Sequence, residues 1–309
     1  MWRSVLLCLF AGMFLVGATC ERTVDLDIEQ PPPRLVVNSS FTLGERVEVT
    51  VTSSQSILDD RFPISLSDAV VTLYQGDQFI EQLELLVDPA PRILEYYITN
   101  SFKPEAAVTY TIRVEAVGFE TVEAHSFIPE PVSLTKLEVS DLQEVEGSEV
   151  YKRLFTYQVS LDFDDPPEEE NFYHLNIYQE ISDIDIAANG DTTYFRRRLE
   201  RLPLQTNNNQ IVPDMLIGGL LIKDKPAAED LTFSVAVEIV PEFEALGQIF
   251  AELRTVSREY YLYFTTVNRQ QNQSDGPFND PIIIFNNVEN GSGYFAGYNT
   301  TQDSIQLSF

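Results

Sequence analysis

The segment 109–115, Thr-Tyr-Thr-Ile-Arg-Val-Glu, alternates strictly. Tyr110, Ile112 and Val114 fall on one face, and Thr111, Arg113 and Glu115 on the other. A repeat of two residues is that of an extended strand with one face buried. Similar short β-forming segments occur at 34–39, 47–52, 69–74, 78–86, 93–98 and 120–127, and again at 134–139, 153–163, 173–179, 193–199 and 231–239. Turn formers such as Gln75-Gly76-Asp77 and Val117-Gly118 separate them. Many short strands with turns between them predict an antiparallel sandwich.

Ile128-Pro129-Glu130-Pro131 is the strongest interruption, because two prolines around one residue stop both strand and helix. It divides the chain into an immunoglobulin- or transthyretin-like sandwich at 34–128 and a second β-rich domain at 132–309. Residues 180–191 and 207–210 read as loops, and 277–281 as another. The tail reads as a strand at 282–285, a turn at 291–293, and strands at 294–298 and 304–309. One segment breaks the β rhythm. In 257–271, Ser257 is a suitable helix cap, and Tyr260, Tyr261, Phe264 and Val267 recur at helical spacing. That predicts one helix laying an aromatic face on a sheet.

The N-terminus carries a different message. Met1-Trp2-Arg3 is followed by an apolar run over 5–16, then Gly17-Ala18-Thr19-Cys20. One positive charge, a short apolar core and small residues before a cut describe a secretory signal peptide at 1–19. A cysteine at the cut implies a bacterial lipoprotein, with lipid on the Cys20 thiol and acylation such as palmitate. The lipobox departs from the usual pattern at Gly17 and Thr19, and an ordinary cysteine near a cleavage site is the other reading. Residues 20–33 end in three prolines and read as a tether, with an alternation over 24–29 that also permits an edge strand. Cys8 leaves with the leader, so neither cysteine implies a disulfide.

Charge excludes some partners. The chain carries 20 basic and 48 acidic residues, a net charge of −28. Such a surface repels phosphate, so nucleic acid and anionic headgroups are not expected ligands. Anchoring to a membrane then falls to the lipid.

Catalytic chemistry has little to stand on. His125 and His174 each lie in a predicted strand, with no partner at metal-binding or triad spacing. No glycine-rich phosphate loop or nucleophile elbow is present. Asp162, Asp164 and Asp165 head the densest acidic run, beside Pro166-Pro167, and are the candidate calcium ligands. The other reading of that run is a solvated acidic loop. Asp183, Asp185 and Asp191 form a second, similar candidate. No cofactor is otherwise expected. The tyrosines of 257–271 suit either core packing or stacking on a glycan.

Several segments in order resemble one family. Cys20-Glu-Arg-Thr-Val-Asp-Leu-Asp followed by prolines and Leu35-Val-Val-Asn-Ser resembles the start of the lipoproteins known as domain of unknown function 4249. Asp68-Ala-Val-Val-Thr-Leu and Tyr110-Thr-Ile-Arg-Val-Glu-Ala-Val-Gly-Phe-Glu-Thr-Val resemble its N-terminal domain. Asp165-Pro-Pro-Glu-Glu-Glu-Asn-Phe-Tyr, Leu253-Arg-Thr-Val-Ser-Arg-Glu-Tyr-Tyr and Phe285-Asn-Asn-Val-Glu-Asn-Gly-Ser-Gly-Tyr-Phe-Ala-Gly-Tyr resemble later motifs. The resemblance implies a Bacteroidota lipoprotein of the outer membrane, facing the cell surface, that serves as accessory to a TonB-dependent β-barrel receptor. It implies binding or scaffolding, and no catalytic residue. Capture of a glycan or peptide is the alternative, and a hydrolase using paired carboxylates a second one.

Overall fold

The computed structural model describes residues 32–56, 63–87, 95–272 and 282–307. The segment expected to be a leader, Cys20, nearly all of the expected tether and the expected loop at 277–281 lie outside the described residues. From Pro33 onward the chain belongs to a single unit.

The described residues are mainly β, with one α-helix among them. The first half contributes β1 (Leu35–Thr42), β2 (Glu48–Ser53), β3 (Val70–Gln75), β4 (Gln78–Gln82), β5 (Glu84–Leu86), β6 (Tyr96–Ile98), β7 (Thr109–Glu115) and β8 (Val122–Phe127). Then come β9 (Leu134–Glu146), β10 (Arg153–Phe163), β11 (Phe172–Ile186), β12 (Thr192–Arg201), β13 (Ile211–Pro213) and β14 (Leu220–Lys223). The chain ends with β15 (Thr232–Ile239), β16 (Glu244–Val256), the helix α1 (Arg258–Gln271) and β17 (Ser292–Gln306).

A ten-stranded sheet runs in the order β13-β14-β11-β16-β17-β1-β2-β6-β5, with β12 also paired to β11. Two smaller sheets, β4-β3-β7-β8 and β15-β10-β9, share cores with it. One core joins Val37, Val49 and Val51 of the long sheet to Leu73, Ile112 and Val114 of the four-stranded one. The other joins Leu175, Ile177, Ile249 and Leu253 to Tyr157, Val159, Phe233 and Val235. Ile128 belongs to the first core and Val132 to the second. The two halves nevertheless share a sheet. β17 pairs in parallel with β1 and antiparallel with β16, and it feeds Phe295 into the first core.

The helix covers the other face of that sheet. Phe172, Leu221, Val256 and Ala296 meet Tyr260 and Phe264 there. This explains why β11 is buried at every position from Phe172 to Ile177. Tyr173, Leu175 and Ile177 enter the sandwich core, while Phe172, His174 and Asn176 point the other way by strand alternation. Ser257 caps α1 as its sequence suggested, its Oγ accepting from the Tyr260 amide at 3.4 Å. Replacing it, Ser257→Ala, is expected to lower stability by about 1 kcal/mol, read as a reduced urea midpoint with an unchanged slope.

Several local expectations need correction. The predicted loop 180–191 is a hairpin: β11 continues to Ile186, burying Ile181 and Ile184, and the turn is confined to 187–191. Segment 78–86 is two strands. β4 pairs with β3, and the chain crosses at Leu83, whose N–H donates to the Val71 carbonyl, so that β5 can pair with β6. Residues 282–285 form no ladder; Phe285 instead donates its N–H to Thr266 Oγ1 at 2.9 Å, against the helix. The expected turn at 291–293 and the two tail strands merge into β17, since Gly293 already pairs with Val37.

Candidate functional site

The acidic run behaves as a clip. Asp162 forms an ion pair with Lys225 at 2.6 Å, and this partner holds its carboxyl below the usual range. Asp165 accepts from the Tyr173 hydroxyl and from the Lys225 amide. The Asp164 amide bonds the Ser133 carbonyl. Asp183 faces Arg196 and Arg198, each at 3.2 Å, and Asp191 accepts from Asn189. Among the described residues, no group of three or more His, Cys, Asp or Glu side chains is arranged to hold a metal ion.

The histidines separate sharply. His125 is exposed on β8, whereas His174 is fully buried beneath α1. His174 Nε2 lies 2.7 Å from the Gly218 carbonyl and Nδ1 lies 3.0 Å from the Tyr260 hydroxyl. A carbonyl only accepts, so Nε2 carries the hydrogen and Nδ1 receives the Tyr260 proton. Asp214 stands 3.8 Å from Nε2, equally buried. Its Oδ1 accepts from the amides of Leu216 and Ile217 and from Asn268 Nδ2. Asn268 Oδ1 in turn accepts from the Met215 amide at 2.6 Å. Thus the loop 214–219 is tied to both ends of the helix through polar side chains.

Strand register supplies the remaining members. His174 lies opposite Arg254, and Asn176 opposite Glu252. Arg254 pairs with Glu252 at 2.9 Å and lies over the Tyr298 ring at 4.9 Å from its centroid. Burial pushes the His174 imidazole down to about 4, with Asp214 pulling in the opposite direction. Burial likewise pushes the Tyr260 hydroxyl up. Both groups are therefore neutral near pH 7. Gly219, at φ +96°, admits the close approach: a Cβ there would meet Asn176 Oδ1, the Leu175 carbonyl and His174 Nε2, all within 2.8 Å.

The aromatic face of α1 is spent on packing. Tyr260 and Phe264 are buried, and Tyr263 lies against Tyr294 with centroids 4.1 Å apart. A histidine, carboxylate and tyrosine brought together in this way have the groups for proton transfer. Here they are closed to solvent and occupied in bracing helix to sheet.

The β11–β12 hairpin is the opposite case. β12 is exposed at nine of ten positions. Arg196 and Arg197 have side chains 73% exposed, paired at 3.2 and 3.3 Å with Asp183 and Glu180. Arg198 is held between Asp183 and Glu244. Tyr194, Phe195 and Leu199 stand in solvent. A cleft of about 350 Å³ opens between Tyr194 and Arg197 on this hairpin and Leu246 and Gln248 on β16. The strand at 193–199 is expected from sequence, but its arginines drew no expectation. Three consecutive basic residues in so acidic a chain were the available signal.

Fold and site together define a β-sheet protein with the helix α1 seated over a sealed polar network and an arginine-bearing hairpin left in the open. The chain belongs to the family described as domain of unknown function (DUF4249), whose model matches residues 21–304. No curated protein matches it. Among the described residues, no helix is long and apolar enough to cross a membrane.

Proposed function

We propose that this chain is a lipid-anchored protein of the bacterial outer membrane, facing the cell surface, that binds or scaffolds as accessory to a TonB-dependent receptor. The observation that carries the reading is Cys20, three small residues behind an apolar run and immediately before the matched segment. A diacylated thiol would hold the acidic ectodomain at the membrane without any spanning segment. The His174–Asp214–Tyr260 cluster is buried, so it gives no reason to set catalysis above binding. The buried aromatic face of α1 gives no support to glycan stacking.

The experiment is intact-mass analysis of the mature protein from native membranes, joined to co-purification. The expected results are a polypeptide that begins at Cys20 and carries diacylglycerol and an amide-linked acyl chain, and recovery with a large β-barrel. A mature chain beginning elsewhere, or position 20 free of lipid, would overturn the anchor. A lipidated protein recovered alone would overturn the receptor partnership.

A further inference from the structure

β12 leaves one of its edges open. Among the described residues it pairs only with β11, so a ten-residue strand presents main-chain donors and acceptors that no neighbour takes up. Natural sheets guard such edges, because any extended chain can add to them. The 13-residue edge strand β9 is guarded by Glu138, Glu144 and Glu146 and by irregular pairing with β10. β12 is different. It sets Arg196 and Arg197 beside the exposed rings of Tyr194 and Phe195 and the exposed Leu199. Arginine with aromatic residues is the composition of binding hot spots, and guarding an edge needs only the charge.

We infer that the open edge of β12 receives an extended acidic segment of a partner protein, which adds as an eleventh strand of the long sheet. Its main chain pairs with β12. Strand register puts Arg196 and Arg198 on one face of β12 and Tyr194, Arg197 and Leu199 on the other. The carboxylates of the added strand meet Arg196. Its apolar side chains, on the opposite face, cover Tyr194, Leu199 and the stem of Arg197, with Phe195 at the slip in register. This is strand addition, in which backbone bonds supply affinity and alternate side chains supply specificity. Charge selects the occupant. A second copy paired antiparallel along 192–201 would set Arg196 against Arg197 of the other chain, like charge against like charge. The ion pair of Arg196 with Asp183 does not bar the exchange, because Asp183 keeps Arg198 at 3.2 Å when Arg196 changes partner. Arg198, held by two carboxylates, and Arg197, paired with the nearly buried Glu180, keep the strand in place meanwhile.

The inference deepens the accessory reading and rests on it for its biological setting, but its test needs neither lipid nor receptor. The full-length chain in detergent is titrated with a labelled peptide of alternating Val and Asp. Two comparison peptides carry Lys in place of Asp, or N-methyl groups on alternate amides along one edge. The expected result is saturable binding of the Val–Asp peptide alone, with slowed amide exchange confined to 192–201. Arg196→Glu should weaken binding at least tenfold. Phe195→Ser, at a position where the β11–β12 register slips, should weaken it severalfold with an unchanged melting curve. Equal binding of the Lys peptide, exchange protection elsewhere, or no saturation up to about 1 mM would overturn the inference. So would a β12-dependent dimer in sedimentation, or β12-dependent binding to phosphatidylglycerol vesicles in place of the peptide. Peptide binding without β-barrel recovery would leave the edge standing and remove the receptor partnership; the reverse pair of results would remove the edge alone.

Discussion

Gly293→Ala should be among the most damaging single-methyl additions to this protein, lowering its stability by about 3 kcal/mol or more. Gly293 sits in β17 opposite Val37 of β1, at φ +110°, where an L side chain is strained. A Cβ there would lie 2.1 Å from the Val37 carbonyl oxygen and 2.8 Å from Asn38 Oδ1. The first neighbour is backbone, so no rotamer change relieves the contact. β1 and β17 form the parallel seam on which both halves of the long sheet depend. Forcing them apart loosens Phe41, Phe295 and Val37 in the first core together. Gly118→Ala separates the two causes. Gly118 also has a positive φ, +87°, but its Cβ would meet nothing within 4 Å. It should cost only the backbone strain, about 1–2 kcal/mol. Urea unfolding of both variants checks the expectation. Equal losses would show that the seam yields easily, and that strain alone sets the effect.

The segments that the sequence reveals well are those with one wet face. β7 alternates buried and exposed positions, and its residues declare the pattern. Strand β11 is harder, because helix and sandwich bury both its faces and the alternation disappears. Its second half carries Ser182, Asp183 and Asp185, which look like loop residues until the arginines of β12 are set beside them. The helix was readable from Ser257 and the spacing of its aromatics, which are local facts. The polar cluster was not. His174 and Tyr260 are 86 residues apart and His174 and Gly218 are 44 apart. Only the register of β11 on β16 brings Arg254 and Glu252 to the same patch. Asp162, Asp164 and Asp165 show the converse: their density suggests an ion site, but a single lysine, Lys225, engages two of them.

Acid should destabilise the native protein through His174 before most of its carboxylates protonate. In the folded chain burial holds this imidazole well below its ordinary range, whereas in the unfolded chain it returns to about 6.5. Between those values the unfolded state binds the extra proton, so stability rises with pH across the window. The contribution is complete above about pH 6.5 and is lost as the pH falls toward the folded value. Its size is on the order of 3 kcal/mol, because each tenfold loss of proton affinity on folding is worth about 1.36 kcal/mol. The groups facing the ring are Asp214 from the loop, Tyr260 from α1, the Gly218 carbonyl, and Arg254 and Glu252 from β16. Asp214 favours the imidazolium, and burial and Arg254 oppose it. The variant His174→Gln isolates the effect, because every other titrating group is retained and cancels in the difference. At pH 7.5 it should be less stable than the parent, having lost a fitted ring and at least one of its hydrogen bonds. By pH 4.5 the gap should narrow by about 2 kcal/mol, since the parent alone carries the buried ring that resists protonation. A gap independent of pH would mean that the ring accepts its proton in place. Asp214 would then have outweighed burial, and helix α1 would stay seated over a charged pair.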